Sequence, residues 1–176
     1  VEYVWTKEQA IDTLSDRKIS YVRLFEPFNW VIATGEYTRD YQTEIKRTVL
    51  EKLQSIRFDN NGNNYIFVYD VHNMNGGEDF ATMLINPNRP DLEGKKISDS
   101  VLDSHGKAYR QEILKTLREN QAGFVEYAYT APQSKEIEQK ISYFILYPQW
   151  HWIVASGVFL GDIEKVYCWT DRPVWP

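Results

Sequence analysis

One segment of this sequence occurs twice, and that duplication constrains the fold more than any other feature, because a missed repeat misassigns the whole architecture. Lys18-Ile19-Ser20-Tyr21 recurs as Lys140-Ile141-Ser142-Tyr143, an offset of 122 residues. Held without gaps, that offset pairs Leu24 with Leu146, Phe28 with Trp150, Trp30 with Trp152, Ala33 with Ala155, Gly35 with Gly157 and Asp40 with Asp162. Val1-Glu2-Tyr3 matches Val125-Glu126-Tyr127 at an offset of 124, so the loop between the matched segments is two residues longer in the first copy. The strands repeat and the loop varies, as expected where a core is constrained and a surface is not.

Each copy reads strand, loop, strand, tight turn, strand, helix. Ile141, Tyr143, Ile145 and Tyr147 alternate with Lys140, Ser142, Phe144 and Leu146, a period of two in a run rich in aromatic and β-branched residues. Tyr147-Pro148-Gln149-Trp150 and Phe25-Glu26-Pro27-Phe28 place a proline at the reversal, where a missing N–H does no harm. Gly157 and Gly35 mark where a strand bends or lets another backbone come close. Between the copies, Tyr41, Ile45, Val49, Leu50, Leu53 and Ile56 form one stripe of a helix over 39–56 that should pack on a sheet. Asn60 to Asn64 make a turn, and Tyr65 to Asp70 an apolar strand. A polar hairpin loop over 72–79 leads to a strand over 80–85. An irregular connection over 86–104, a helix over 107–119 on Tyr109, Ile113, Leu114 and Leu117, and a strand over 123–130 complete the order. This order predicts an α+β fold, a five-stranded antiparallel sheet with the long N-terminal helix across one face and the connection across the other. A small ligand would sit between the sheet and that connection.

Bulk properties remove several classes of function. A net charge of -5 and a pI near 5.3 offer no basic face for phosphate neutralisation, so no nucleic-acid partner is expected. The single Cys168 rules out an intrachain disulfide and a site of paired cysteines. No stretch approaches ~18 uninterrupted apolar residues. The chain opens in a strand, Val1-Glu2-Tyr3-Val4-Trp5, without a methionine, which points to a soluble piece excised from something larger. His72, His105 and His151 are scattered at no metal-ligand spacing, and Ser104-His105-Gly106 with Asp99 and Asp103 lacks a nucleophile elbow. No catalytic residue, metal or cofactor is assigned, and the chain is not read as an enzyme. His151, matched by Asn29 in the first copy, reads as a solvent-facing turn residue.

In order and wording the segments resemble the Cache family of bacterial sensors, particularly single or tandem modules of Cache type 2. The resemblance rests on Asn64-Tyr65-Ile66-Phe67-Val68-Tyr69-Asp70, on Ile85-Asn86-Pro87 leading into Leu92-Glu93-Gly94-Lys95, on Gly123-Phe124-Val125-Glu126-Tyr127, and on the strands beginning at Lys140 and Trp152. It implies a PAS-like sheet, with residues 1–38 as the C-terminal part of a preceding Cache-like module, 39–165 as a near-complete module and 166–176 as a tail. It implies the periplasmic or extracellular portion of an inner-membrane receptor, either a chemoreceptor or a sensor kinase, tethered to the membrane in the parent protein, with a homodimer as an option. The implied ligand is a small molecule, a short organic acid. The alternative is a membrane-proximal module acting as a spacer or dimerisation element without its own ligand. Where many members carry a histidine before the proline, this chain has Asn86, so a ligand contact there would be an amide.

A carboxylate ligand needs a cation or several N–H and O–H donors in a sheltered place. Lys140 is the cationic candidate, with Tyr65, Tyr127, Tyr143 and Asn86 as donors. Phe67, Tyr129 and Trp150 are candidate walls, and Met83 an adaptable one. The competing expectation for Lys140 is a sheet-edge residue whose amine reaches solvent, since Lys18 repeats it.

Overall fold

The structure, a computed structural model, describes residues 1–5, 16–59, 62–132 and 134–163. The expected tail at 166–176 and the Asn60-Asn61 part of the expected turn lie outside them. The chain divides into two compact units, Val1–Glu51 and Lys52–Pro176.

The first unit holds a three-stranded antiparallel sheet of β1 (Glu2–Trp5), β2 (Asp16–Phe25) and β3 (Trp30–Tyr37), in that order. Helix α1 (Thr38–Ser55) follows and runs through the boundary between the units. The second unit holds β4 (Ile66–Val71), β5 (Ala81–Ile85), β6 (Lys96–Ile97), α2 (Tyr109–Asn120), β7 (Ala122–Thr130), β8 (Ile137–Tyr147) and β9 (Trp152–Phe159). Its sheet has the order β6-β5-β4-β9-β8-β7, antiparallel throughout. The five long strands are those the sequence predicts. The irregular connection contributes a two-residue strand at the edge, too short to show a period in sequence.

The sequence repeat is a repeat of register. Tyr3 lies opposite Lys18 and Ser20 opposite Gly35 in the first copy, and Tyr127 lies opposite Lys140 and Ser142 opposite Gly157 in the second. The reversals also correspond, with Asn29 at φ 51 and His151 at φ 56, both in the left-handed region. Each glycine answers a steric demand. A Cβ on Gly157 would lie 2.0 Å from Ser142 Oγ and 2.5 Å from the Ile141 carbonyl oxygen, and one on Gly35 would lie 2.1 Å from Ser20 Oγ. The repeated Lys-Ile-Ser-Tyr segment is therefore tied to a glycine across the strand pair.

Alternation along β8 directs Lys140, Ser142 and Phe144 inward and leaves Tyr143, Ile145 and Tyr147 exposed. The inner face also carries Tyr65, Phe67, Tyr69, Val71, Met83, Val125, Tyr127, Ile153 and Ala155, all part of one core. Helix α2 covers this face with Tyr109, Ile113, Leu114 and Leu117, the stripe expected from its spacing, and packs against β7. It ends at Gln121, whose left-handed φ of 60 lets its N–H bond the Leu117 carbonyl at 2.9 Å. The connection before α2 is clipped to the sheet by Asp103, whose carboxylate accepts from the backbone N–H groups of His105, Lys107 and Ala128 at 2.9, 2.8 and 2.8 Å.

Candidate functional site

On the inner face of the second unit's sheet, a small cavity is lined by Tyr65, Phe67, Tyr69, Asn86, Tyr109, Tyr127, Tyr129 and Lys140. Its free volume is about 10 Å³, room for roughly one water molecule. Strands β4, β7 and β8 supply most of the wall, the start of the connection supplies Asn86, and the first turn of α2 supplies Tyr109.

Lys140 dominates the chemistry. The side chain is 1% exposed, and β8 runs between β7 and β9, so the expectation of a sheet-edge lysine reaching solvent is overturned. Its Nζ donates to the Tyr65 hydroxyl oxygen at 3.2 Å. Otherwise it meets ring faces: 4.2 Å from the Tyr65 centroid, 5.0 Å from Phe159, 5.3 Å from Phe67 and 5.4 Å from Tyr129. Among the described residues no carboxylate stands within ion-pair distance of it. Desolvation therefore pulls its pKa down from 10.5 to about 7. Lys18, its counterpart in the repeat, is half-buried with Nζ 5.1 Å from the Tyr37 ring centroid.

The hydroxyls around the amine are held by an aromatic lattice. Tyr109 and Tyr127 stack with centroids 4.6 Å apart, Tyr127 meets Tyr129 edge-on at 5.9 Å, and Phe67 meets Phe144 edge-on at 5.7 Å. The Tyr127 hydroxyl shares a 3.0 Å hydrogen bond with Ser142 Oγ. Burial raises the pKa values of Tyr65, Tyr69, Tyr109 and Tyr127, so these phenols stay protonated as O–H donors. Asn86 is 4% exposed and its Oδ1 accepts the Arg89 N–H at 3.1 Å, which leaves its NH₂ to donate. The cavity thus offers one cation and several neutral donors, and no anion.

Of the residues singled out in sequence, Tyr65, Phe67, Asn86, Tyr127, Tyr129 and Lys140 converge on this cavity. Three do not. Tyr143 stands an odd number of residues from Lys140 and so faces the other side of the sheet, where it packs on Phe124 at 4.9 Å. Met83 is buried on β5, opposite Tyr69 and three strands from β8. Trp150 lies beyond the far end of β8, packed against Trp152 and Tyr147 at 4.8 and 5.3 Å. The reading from sequence missed Tyr69 and Tyr109. Tyr69 shares parity with Tyr65 and Phe67, a signal that was available. Tyr109 reaches the cavity only because α2 docks with its first turn over it.

A family model described as "Cache domain" matches residues 1–164. The chain is 27% identical over 135 residues to the methyl-accepting chemotaxis protein McpP of Pseudomonas putida, covering 77% of this chain and 22% of that protein. It is 27% identical over 118 residues to the sensor histidine kinase MctS of Rhizobium johnstonii, covering 67% and 23%. It therefore spans less than a quarter of the length of these curated relatives. Among solved structures, the periplasmic sensor domain of a chemotaxis protein is 31% identical with a TM-score of 0.56, covering 67% of this chain and 74% of that one. A Cache chemosensory domain, solved to explain carboxylic acid recognition, is 26% identical with a TM-score of 0.56, covering 68% and 74%.

Proposed function

Because this chain belongs to the Cache domain family, we propose that it is the extracytoplasmic sensing part of a membrane receptor, chemoreceptor or sensor kinase, and that its second unit binds a short monocarboxylate. One observation carries the ligand class: Lys140 is a buried amine with no carboxylate partner among the described residues, in a cavity whose other polar groups are hydroxyl and amide donors. A buried ammonium is stabilised by an anion that accepts hydrogen bonds, and a carboxylate accepts several at once. The lining contains no Asp or Glu, so the ammonium of an amino acid would find no partner. It contains no second cation, so the far carboxylate of a diacid would be buried against rings. A free volume of about 10 Å³ requires the rings to move apart before even a small acid can enter, which favours a short ligand. That a relative at 26% identity recognises carboxylic acids supports the same reading.

In this reading residues 1–38 are the end of a preceding module, 39–165 are the module that binds, and the Lys140 region is where binding is sensed. Thermal shift with acetate, propionate, pyruvate, succinate and alanine tests it. The monocarboxylates should raise Tm, the diacid and amino acid should not, and Lys140→Met should abolish the response. If none of them stabilises the native chain, the carboxylate reading fails. The narrow cavity then favours a spacer or dimerisation module without its own ligand.

A further inference from the structure

We propose that the cavity takes up a proton together with its ligand: the anion enters as a carboxylate, and Lys140 changes from amine to ammonium as the ion pair closes. This rests on the reading of the cavity as a monocarboxylate site and adds how that site is regulated. The balance is one carboxylate, one neutral amine and one proton from solvent giving a carboxylate–ammonium pair. No bond other than N–H forms.

The geometry of the unliganded cavity sets the sign. Lys140 is 1% exposed beside a cavity with room for about one water, and among the described residues its hydrogen-bond acceptor is the neutral Tyr65 hydroxyl at 3.2 Å. From β4 and its lead-in it faces Tyr65, Phe67 and Tyr69. From β7 it faces Tyr127 and Tyr129, from α2 Tyr109, from β9 Phe159, and from the connection Asn86. Charges of both signs lie beyond this lining: Asp103 acts on Tyr109, and Glu93 accepts the Asn86 backbone N–H at 2.8 Å. Arg110 acts on Tyr69 and Tyr109, Arg57 on Tyr65, and Arg89 lies near Tyr129. The carboxylate nearest along its own strand is Glu138, two residues away on the same side, and it accepts a hydrogen bond from Ser134 at 3.0 Å. Ring faces favour the ammonium, though less than water does. An arriving carboxylate supplies what the cavity lacks, an anion in contact with Nζ, and raises the amine's proton affinity again. By linkage, affinity then falls as the pH rises through the titration of the empty cavity, which burial places at about 7.

The test is titration calorimetry of the chain with sodium acetate and sodium propionate at pH 6, 7.5 and 9, each in a buffer of low and one of high ionisation enthalpy. Both probes remain ionised across this range, so a proton taken up goes to the protein. The observed enthalpy should not depend on the buffer at pH 6. At pH 9 the dependence should correspond to nearly one proton, with affinity falling about tenfold between pH 8 and 9. Lys140→Arg, cationic at every pH, should bind with no proton uptake. Binding at pH 9 without buffer dependence overturns the proposal, as does undiminished uptake in Lys140→Arg, which would place the proton elsewhere. Absence of binding at pH 6 as well refutes the monocarboxylate reading itself, and the proposal with it, so the two failures are distinguishable.

Discussion

Replacing Lys140 by methionine should stabilise this protein at pH 6. The side chains have similar length and volume, so the cavity walls need not move. In the folded state desolvation draws the lysine from 10.5 to about 7, which corresponds to roughly 5 kcal/mol against folding when the amine is charged in both states. The variant should therefore gain up to about 5 kcal/mol, on the order of 10 °C in Tm for a chain of this size. The pH dependence has a definite sign. A lysine depressed by folding binds fewer protons folded than unfolded between pH 7 and 10.5, so its penalty is complete below pH 7 and fades as the pH rises toward 10.5. The Tm difference between variant and native protein should therefore be largest at pH 6 and shrink by pH 10, and taking the difference cancels the other titrating groups. Differential scanning calorimetry at pH 6, 7, 8, 9 and 10 measures it. A variant no more stable than the native protein at pH 6, or a difference that stays constant to pH 10, would refute the reasoning. A stabilising substitution at this position would also mean that the lysine is retained at the expense of stability, as expected of a binding residue.

Gly157→Ala should destabilise the second unit by about 3 kcal/mol or more, because the new Cβ would meet Ser142 Oγ at 2.0 Å and the Ile141 carbonyl at 2.5 Å; Ser142→Ala should not restore it, since the carbonyl remains. Urea denaturation reads this, and a loss below about 1 kcal/mol would show that the strands part easily there. Asp103→Asn should lower Tm at pH 7 by weakening the bonds to the N–H groups of His105, Lys107 and Ala128. Burial pushes the Asp103 pKa up, but these N–H groups prevail and hold it below its ordinary 3.8. Its stabilisation is thus present above pH 3.8 and lost as the pH falls through the lower folded-state value. A Tm gap between native and variant that persists undiminished to the lowest accessible pH would contradict that account.

Much of the candidate site was legible in the sequence. Period two puts Tyr65 with Phe67, and Tyr127 with Tyr129, on one face of their own strands, and the same rule separates Tyr143 from Lys140 and adds Tyr69; that these faces coincide comes from strand register. The rule says nothing about distance, which is why Trp150 and Met83 were included. They satisfy the chemistry of a wall but lie at the far end of β8 and three strands away. Strand order settles that, and strand order is a property of long-range pairing.

The repeat shows the same division. Local preferences and self-similarity determined that a strand–turn–strand motif occurs twice, that each copy needs its glycine, and that helices precede and interrupt the second sheet. These properties depend on near neighbours along the chain, and their pattern survives in the text. Tertiary structure alone decided that the two lysines of the repeated motif differ. Lys18 remains half-buried in a three-stranded sheet, whereas Lys140 is enclosed because β4 and β9 extend its sheet and α2 closes over it. Identical tetrapeptides acquire different chemistry because desolvation depends on what packs around a group, and that packing comes from segments far away in the sequence.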